Sequence, residues 1–128
     1  MSALLTSQYN NVQTLALQFP ETSALILQVY QDLALNKQWK TIQPISIPDL
    51  QTCVLHCREP GSDWLVIVPI RHDQELSLNK ITQTFGILEN TQLAENIPFK
   101  KLTFGIVARD STVLYYHISK DLVPPKEH

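Results

Sequence analysis

The chain has 128 residues, 44% of them apolar and only 17% charged, with 10 Lys plus Arg against 12 Asp plus Glu and a net charge of −2. That is enough for one domain, residues 1–128, with a core that needs no metal or disulfide, and the low charge excludes a generic disordered tail. The acidic balance argues against a free-standing nucleic-acid binder, which carries a basic patch, and so sparse a charge points to a surface partly covered by a partner.

No apolar run approaches the ~20 residues of a membrane span. Met1-Ser2-Ala3-Leu4-Leu5 lacks the positive charge that opens a signal peptide. Leu5, Tyr9, Val12, Ala16 and Phe19 recur at helical spacing, and Asn10-Asn11 weakens the start of that helix. Pro20 and Glu21 suit a first turn, so a second helix is predicted from about Pro20 to Leu35, burying Ile26, Val29, Tyr30 and Leu33. Asn36-Lys37 closes it, and the helices together occupy residues 4–36.

Beyond Trp39 the period becomes that of a sheet, expected over residues 40–118. Thr41–Ile47 alternates, but Pro44 and Pro48 demote it to an edge strand or an extended connection. Gln51–Arg58 and Asp63–Ile70 form a hairpin around Glu59-Pro60-Gly61-Ser62. The run Trp64-Leu65-Val66-Ile67-Val68 is that of a central strand covered on both faces. Ser77 is the expected N-cap of a helix through Ile81, Phe85 and Leu88, which Gly86 weakens by about 1 kcal/mol relative to Ala. Glu89–Pro98 reads as the longest loop. Leu102–Val107 and Thr112–Ile118 are the last two strands, joined through Ala108–Ser111, and residues 119–128 are a short polar tail closed by Pro124-Pro125. The order is that of an α/β sandwich: a mixed, mainly antiparallel sheet with helices packed on it.

The chemical inventory is sparse. Cys53 and Cys57, about 13 Å apart on one face of a strand, are too distant for a disulfide and read as reduced, half-buried hydrophobes of a reducing compartment. A zinc site would need His56 and His72 as well, and the spacing matches no zinc pattern. No metal or cofactor is expected. Gly61, Gly86 and Gly105 are too scattered for a phosphate loop, and there is no Gly-x-Ser-x-Gly elbow. Asp73 and Glu75 are a weak carboxylate pair. His117, beside Tyr115 and Tyr116 and opposite Lys101, belongs to a Tyr-His-Lys trio that would in principle cleave RNA: Tyr or Lys activating the 2′-hydroxyl, His protonating the leaving group. Tyr115 and Tyr116 face opposite sides, however, and an ordinary surface strand is the simpler reading. No catalytic residue is therefore assigned. Lys100 and Lys101 are the candidates for RNA contact. The C-terminal strand, aromatic and β-branched, presents an edge to which another chain can add a strand.

Several segments together resemble the small, non-catalytic structural subunits of the eukaryotic tRNA-splicing endonuclease. They are Val29-Tyr30-x-Asp32-Leu33 with Lys37-x-Trp39, Pro48-Asp49-Leu50-Gln51, Val68-Pro69-Ile70, Leu76-Ser77 and Asp110-Ser111-Thr112-Val113-Leu114-Tyr115-Tyr116. The resemblance covers about residues 24–125 and leaves the first helix outside. It implies the tRNA-intron endonuclease catalytic-domain fold in a subunit without an active site, belonging to a complex of four different subunits. Two of those cut precursor tRNA with a Tyr-His-Lys triad. The family's histidine position falls near Gly61, before Trp64-Leu65-Val66, and its lysine near Lys100 or Lys101, so the proton donor is missing.

The resemblance further implies pairing with a catalytic subunit through the C-terminal strand; the strand's own alternation offers Leu114, Tyr116 and Ile118, or the opposite set Val113, Tyr115 and His117, as the interface. Docking to other subunits would use the loop Arg109-Asp110-Ser111-Thr112, where Asp110 is the only acid and Arg109 opposes it, so hydrogen bonds by Asp110 and Ser111 would replace an acidic contact. Contact with precursor tRNA would be indirect. Homodimers are expected of the isolated chain. The expected location is the nucleus, with the cytosolic face of the mitochondrial outer membrane as the alternative. The rival readings are an independent ribonuclease using Lys101 and His117, and an unrelated α/β adaptor.

Overall fold

The computed structural model describes residues 3–74, 76–90 and 101–119. Lys100, Glu75, the end of the predicted loop over residues 91–98 and the tail beyond Ser119 lie outside the described residues. The elements in chain order are α1 (Ala3–Ala16), α2 (Ser23–Gln31), a π-helical turn (Asp32–Asn36), β1 (Ile42–Ile47), a 3₁₀ turn (Pro48–Leu50), β2 (Thr52–Cys57), β3 (Leu65–Arg71), α3 (Leu78–Asn90), β4 (Lys101–Val107) and β5 (Val113–Ser119). The five strands form one sheet in the order β1-β2-β3-β4-β5. All neighbours are antiparallel except β3 and β4, which run parallel. A parallel pair needs a crossover, and α3 lies within it.

The predicted order of helices and strands is therefore observed, and the class is α/β. Two boundaries shift. The second helix begins at Ser23 rather than Pro20, and its last turn is π-helical rather than α-helical. The third helix runs to Asn90, taking in the first two residues of the predicted loop. Its cap is as expected, with the Lys80 amide donating to Ser77 Oγ at 3.1 Å.

Each face of the sheet carries its own core. Val12, Ala16, Ile26, Val29, Tyr30 and Leu33 from α1, α2 and the π turn meet Cys53, Leu55, Cys57, Leu65 and Ile67. On the other face Phe85 and Leu88 of α3 meet Val54, Val66, Val68, Ile70, Leu102 and Phe104. Successive side chains of a strand alternate between faces, so β3 needs apolar residues at every position, which accounts for its unbroken run. Each fully buried aliphatic chain contributes about 1.5–3 kcal/mol relative to exposure.

Gly105 sits where α2 presses closest. A Cβ on it would stand 3.1 Å from both Ile67 Cγ2 and Val29 Cγ2. Gly105→Val is expected to destabilise the chain by about 1–3 kcal/mol through overpacking, and Gly105→Ala by less, as read by urea denaturation.

The cysteines are more deeply placed than expected: both are fully buried, not half-buried, because α1 and α2 cover their face of β2. They remain unbridged. Burial pushes the Cys53 thiol up to about 11 and Cys57 further still. In the native state both should resist a thiolate-directed reagent at pH 8 and react in full on unfolding, as a colorimetric thiol titration would record. His56 alternates with these cysteines, which puts it on the opposite face, stacked on Trp64 with ring centroids 4.3 Å apart.

Candidate functional site

The sheet has two edges, and they differ. On β1 the Ile42 amide donates outward to Gln8 Oε1 of α1 at 3.2 Å. Two residues on, the same edge carries Pro44, which has no N–H. Two further, Ser46 Oγ donates to Gln18 Oε1 at 3.5 Å. Gln8 is itself held, its Nε2 donating to the Tyr30 hydroxyl at 2.9 Å. This edge is blocked against further pairing. On β5, paired with β4 on one side only, no described residue bonds to the outer edge.

The two faces of β5 also differ. Val113 and Tyr115 pack against the core beneath α2, and the Tyr115 hydroxyl donates to Asp32 Oδ2 of the π turn at 2.5 Å. On the opposite face Ile118 is buried, whereas Leu114 is 61% and Tyr116 53% exposed. Of the two residue sets proposed for an interface, one is engaged within the chain and the other presents unsatisfied apolar surface.

The connecting loop is tightly built. Asp110 Oδ1 accepts the Thr112 amide at 3.0 Å, and hydrogen bonds from Thr112, side chain first, hold its carboxyl below the usual range. Ala108 donates to the Thr112 carbonyl at 2.8 Å, and Ser111, at φ 71°, accepts from Gln28 Nε2 at 3.1 Å. Asp110 thus uses one carboxylate oxygen, and Ser111 its backbone carbonyl, inside the chain.

The loop also sets the register. It pairs Val107 with Val113, and counting outward puts Thr103 opposite His117 and Lys101 opposite Ser119. His117 is thus diagonal to Lys101 and not opposite it, though on the same face. Tyr115 and Tyr116 do point to opposite sides. Beside β5, where β3 and β4 begin, a hollow of about 660 Å³ is lined by residues that include Lys37, Trp39, Glu59, Gly61, Lys101, Tyr115 and His117. The trio of Tyr115, His117 and Lys101 is thus gathered after all, not merely spread along a surface strand.

The state of these groups is unlike that of a general acid and base. Burial raises the Tyr115 phenol far above its ordinary value, and the hydrogen bond to Asp32 and that residue's negative charge add to the effect. Lys37 Nζ lies over the same ring, 5.0 Å from its centre. His117 Nδ1 is 2.8 Å from the buried Thr103 hydroxyl. Loss of water around the imidazole lowers its pKa below 6.5, and the charges of Lys101 and then Lys37 lower it further. Gly61 has φ 86°, a left-handed conformation that side chains rarely adopt.

Sequence reasoning missed Lys37 and Trp39 as members of this hollow, and Asp32 as the partner of its Tyr115. A helical pattern shows which face is buried, but it does not show the π turn that brings the helix end over β5.

The profile of the Sen15 protein family matches residues 28–128. The chain belongs to this family. It is similar to a protein of Mus musculus named tRNA-splicing endonuclease subunit Sen15, with 31% identity over 98 residues, 76% of this chain and 58% of that protein. Its similarity to the Homo sapiens protein of the same name is 29% over 98 residues, 76% and 57% of the two chains. The chain thus spans little more than half the length of these relatives. The start of the match in α2 leaves α1 outside it, as in the resemblance read from the sequence.

A prediction follows from the imidazole. Its folded-state pKa is below its unfolded one, so protonation opposes folding: its contribution to stability is complete above pH 6.5 and lost as pH falls through that value toward the folded pKa. In an NMR titration His117 should show a midpoint under 6.5 that moves upward in Lys101→Gln, while a midpoint indifferent to Lys101 contradicts the electrostatic reading.

Proposed function

We propose that this Sen15-family chain is a non-catalytic subunit of a tRNA-splicing endonuclease, and that it holds a catalytic subunit through strand addition at β5. The observation that carries the reading is the inequality of the two sheet edges. On β1 Gln8 takes the Ile42 amide and Pro44 has no N–H, while no described residue bonds to the outer edge of β5, which is flanked by exposed Leu114 and Tyr116. Backbone pairing supplies affinity in such an interface, and alternate side chains supply specificity. The names of the murine and human relatives support membership of the complex. Other subunits would meet the Arg109–Thr112 loop, precursor tRNA would be contacted indirectly, and the complex would act in the nucleus.

The lack of catalysis is supported by chemistry rather than by any missing space. A phenol bonded to a carboxylate and shifted far upward is no base near neutral pH, and an imidazole with a lowered pKa carries little of the proton a leaving group needs. The ribonuclease reading draws on the gathering of Tyr115, His117 and Lys101 in one hollow. Incubating the pure chain with intron-containing precursor tRNA separates the two: specific cuts abolished by His117→Ala would overturn the subunit reading. Leu114→Asp with Tyr116→Asp is expected to abolish capture of a Tyr-His-Lys nuclease subunit and to convert self-associated chain to monomer in ultracentrifugation. Unaltered capture would sink the β5 interface.

A further inference from the structure

β5 is the last strand of the sheet, and β4 pairs with it along one side only. Such a strand has ladder bonds to a single neighbour, and every residue kept extended costs conformational entropy. Two further ties reach it from α2. Gln28 Nε2 donates to the Ser111 carbonyl at 3.1 Å, just before the strand begins. The Tyr115 hydroxyl donates to Asp32 Oδ2 at 2.5 Å, within the strand. Gln28 and Asp32 are four residues apart, one turn along one face of the helix. That face thus clamps β5 at two points.

The clamp is itself braced. Tyr115 pairs across the ladder with Gly105, the glycine against which Val29 is seated, so α2 lies close to the sheet right beside the tyrosine. Asp32 is oriented through both oxygens, Oδ1 accepting from Asn36 Nδ2 at 2.8 Å while Oδ2 takes the phenol. The backbone there widens, the Lys37 amide reaching back five residues to the Asp32 carbonyl at 3.0 Å. π turns are rare and recur at functional sites. This one also sets Lys37 Nζ over the Tyr115 ring. All these contacts lie on the α2 face of β5, whereas exposed Leu114 and Tyr116 point to the other.

We propose that the Asp32–Tyr115 bond is a positioning device for partner capture: it holds β5 extended in the free chain, so that an incoming strand meets an edge already formed. The inference rests on the strand-addition reading above and adds to it residues away from the exposed Leu114–Tyr116 face. Preorganisation raises affinity by removing an ordering cost from the binding step. It also has a kinetic signature. When only a fraction of chains holds the competent edge, apparent affinity falls by that fraction, and the loss appears in the association rate. Loss of a direct contact appears in the dissociation rate instead.

The test is surface plasmon resonance of the full chain on an immobilised catalytic subunit of the same organism's tRNA-splicing endonuclease. Tyr115→Phe and Asp32→Ala should each lower the association rate about tenfold or more, the value of a hydrogen bond to a charged group, with dissociation nearly unchanged. The two together should lose no more than either alone, since they remove one bond. Asp32→Asn keeps an acceptor for the phenol and should regain most of the rate. In the free chain, Tyr115→Phe should quicken amide exchange in β5 and leave β2 and β3 as they were. Leu114→Asp with Tyr116→Asp tests the interface itself: unaltered capture there sinks the interface and the clamp together. With capture abolished there, an unchanged association rate in Tyr115→Phe, a loss confined to dissociation, additive losses or no recovery in Asp32→Asn overturns the clamp alone. Exchange that quickens throughout the sheet does the same.

Discussion

The close contact between α2 and the middle of the sheet governs most of what surrounds it. Val29 lies so close to Gly105 that a Cβ there would stand 3.1 Å from its Cγ2, tighter than ordinary packing. With the helix seated so deeply, Ile26, Val29 and Leu33 fill the core over β2, β3 and β4, and the chain leaves α2 directly above β5. The π turn that follows is where Asp32 meets the Tyr115 hydroxyl. One small residue in a central strand thereby sets where a helix ends, and the helix end sets which face of β5 is occupied.

That occupation explains why a single strand behaves differently on its two sides. The face toward α2 is tied down by a hydrogen bond to a carboxylate and by a lysine over an aromatic ring. The face toward α3 buries only Ile118, and Leu114 and Tyr116 extend past the cover that α3 provides. The opposite edge of the sheet shows what protection looks like. There a glutamine side chain takes the outward amide, a proline removes the next, and α1 packs alongside. Among the described residues nothing covers the β5 edge while β1 is protected, a specific difference, since open strands otherwise invite aggregation.

The hollow gathers residues from distant parts of the chain. Gly61 and Lys101 are brought to one cavity by the start of β3 and β4, whose parallel register pairs Leu65 with Lys101. Gly61 adopts a left-handed conformation there, and the nearby imidazole belongs to β5, bonded to Thr103.

Much of this was legible in the residues. The uninterrupted run of β3, the alternation of β1, the Ser77 cap and the separation of Tyr115 from Tyr116 all follow from local periodicity and turn chemistry, which act over a few neighbours. The resemblance carried by Asp110–Tyr116 and the segments before it placed the chain in its family without coordinates. Only the folded chain decided that Asp32 bonds Tyr115 across 83 residues, that Gln8 closes the edge of β1 across 34, and that Lys37 shares a cavity with Lys101. Such contacts depend on how far a helix sinks onto a sheet and where its last turn widens. These are set by packing between elements distant in the chain, and no periodicity within either element records them.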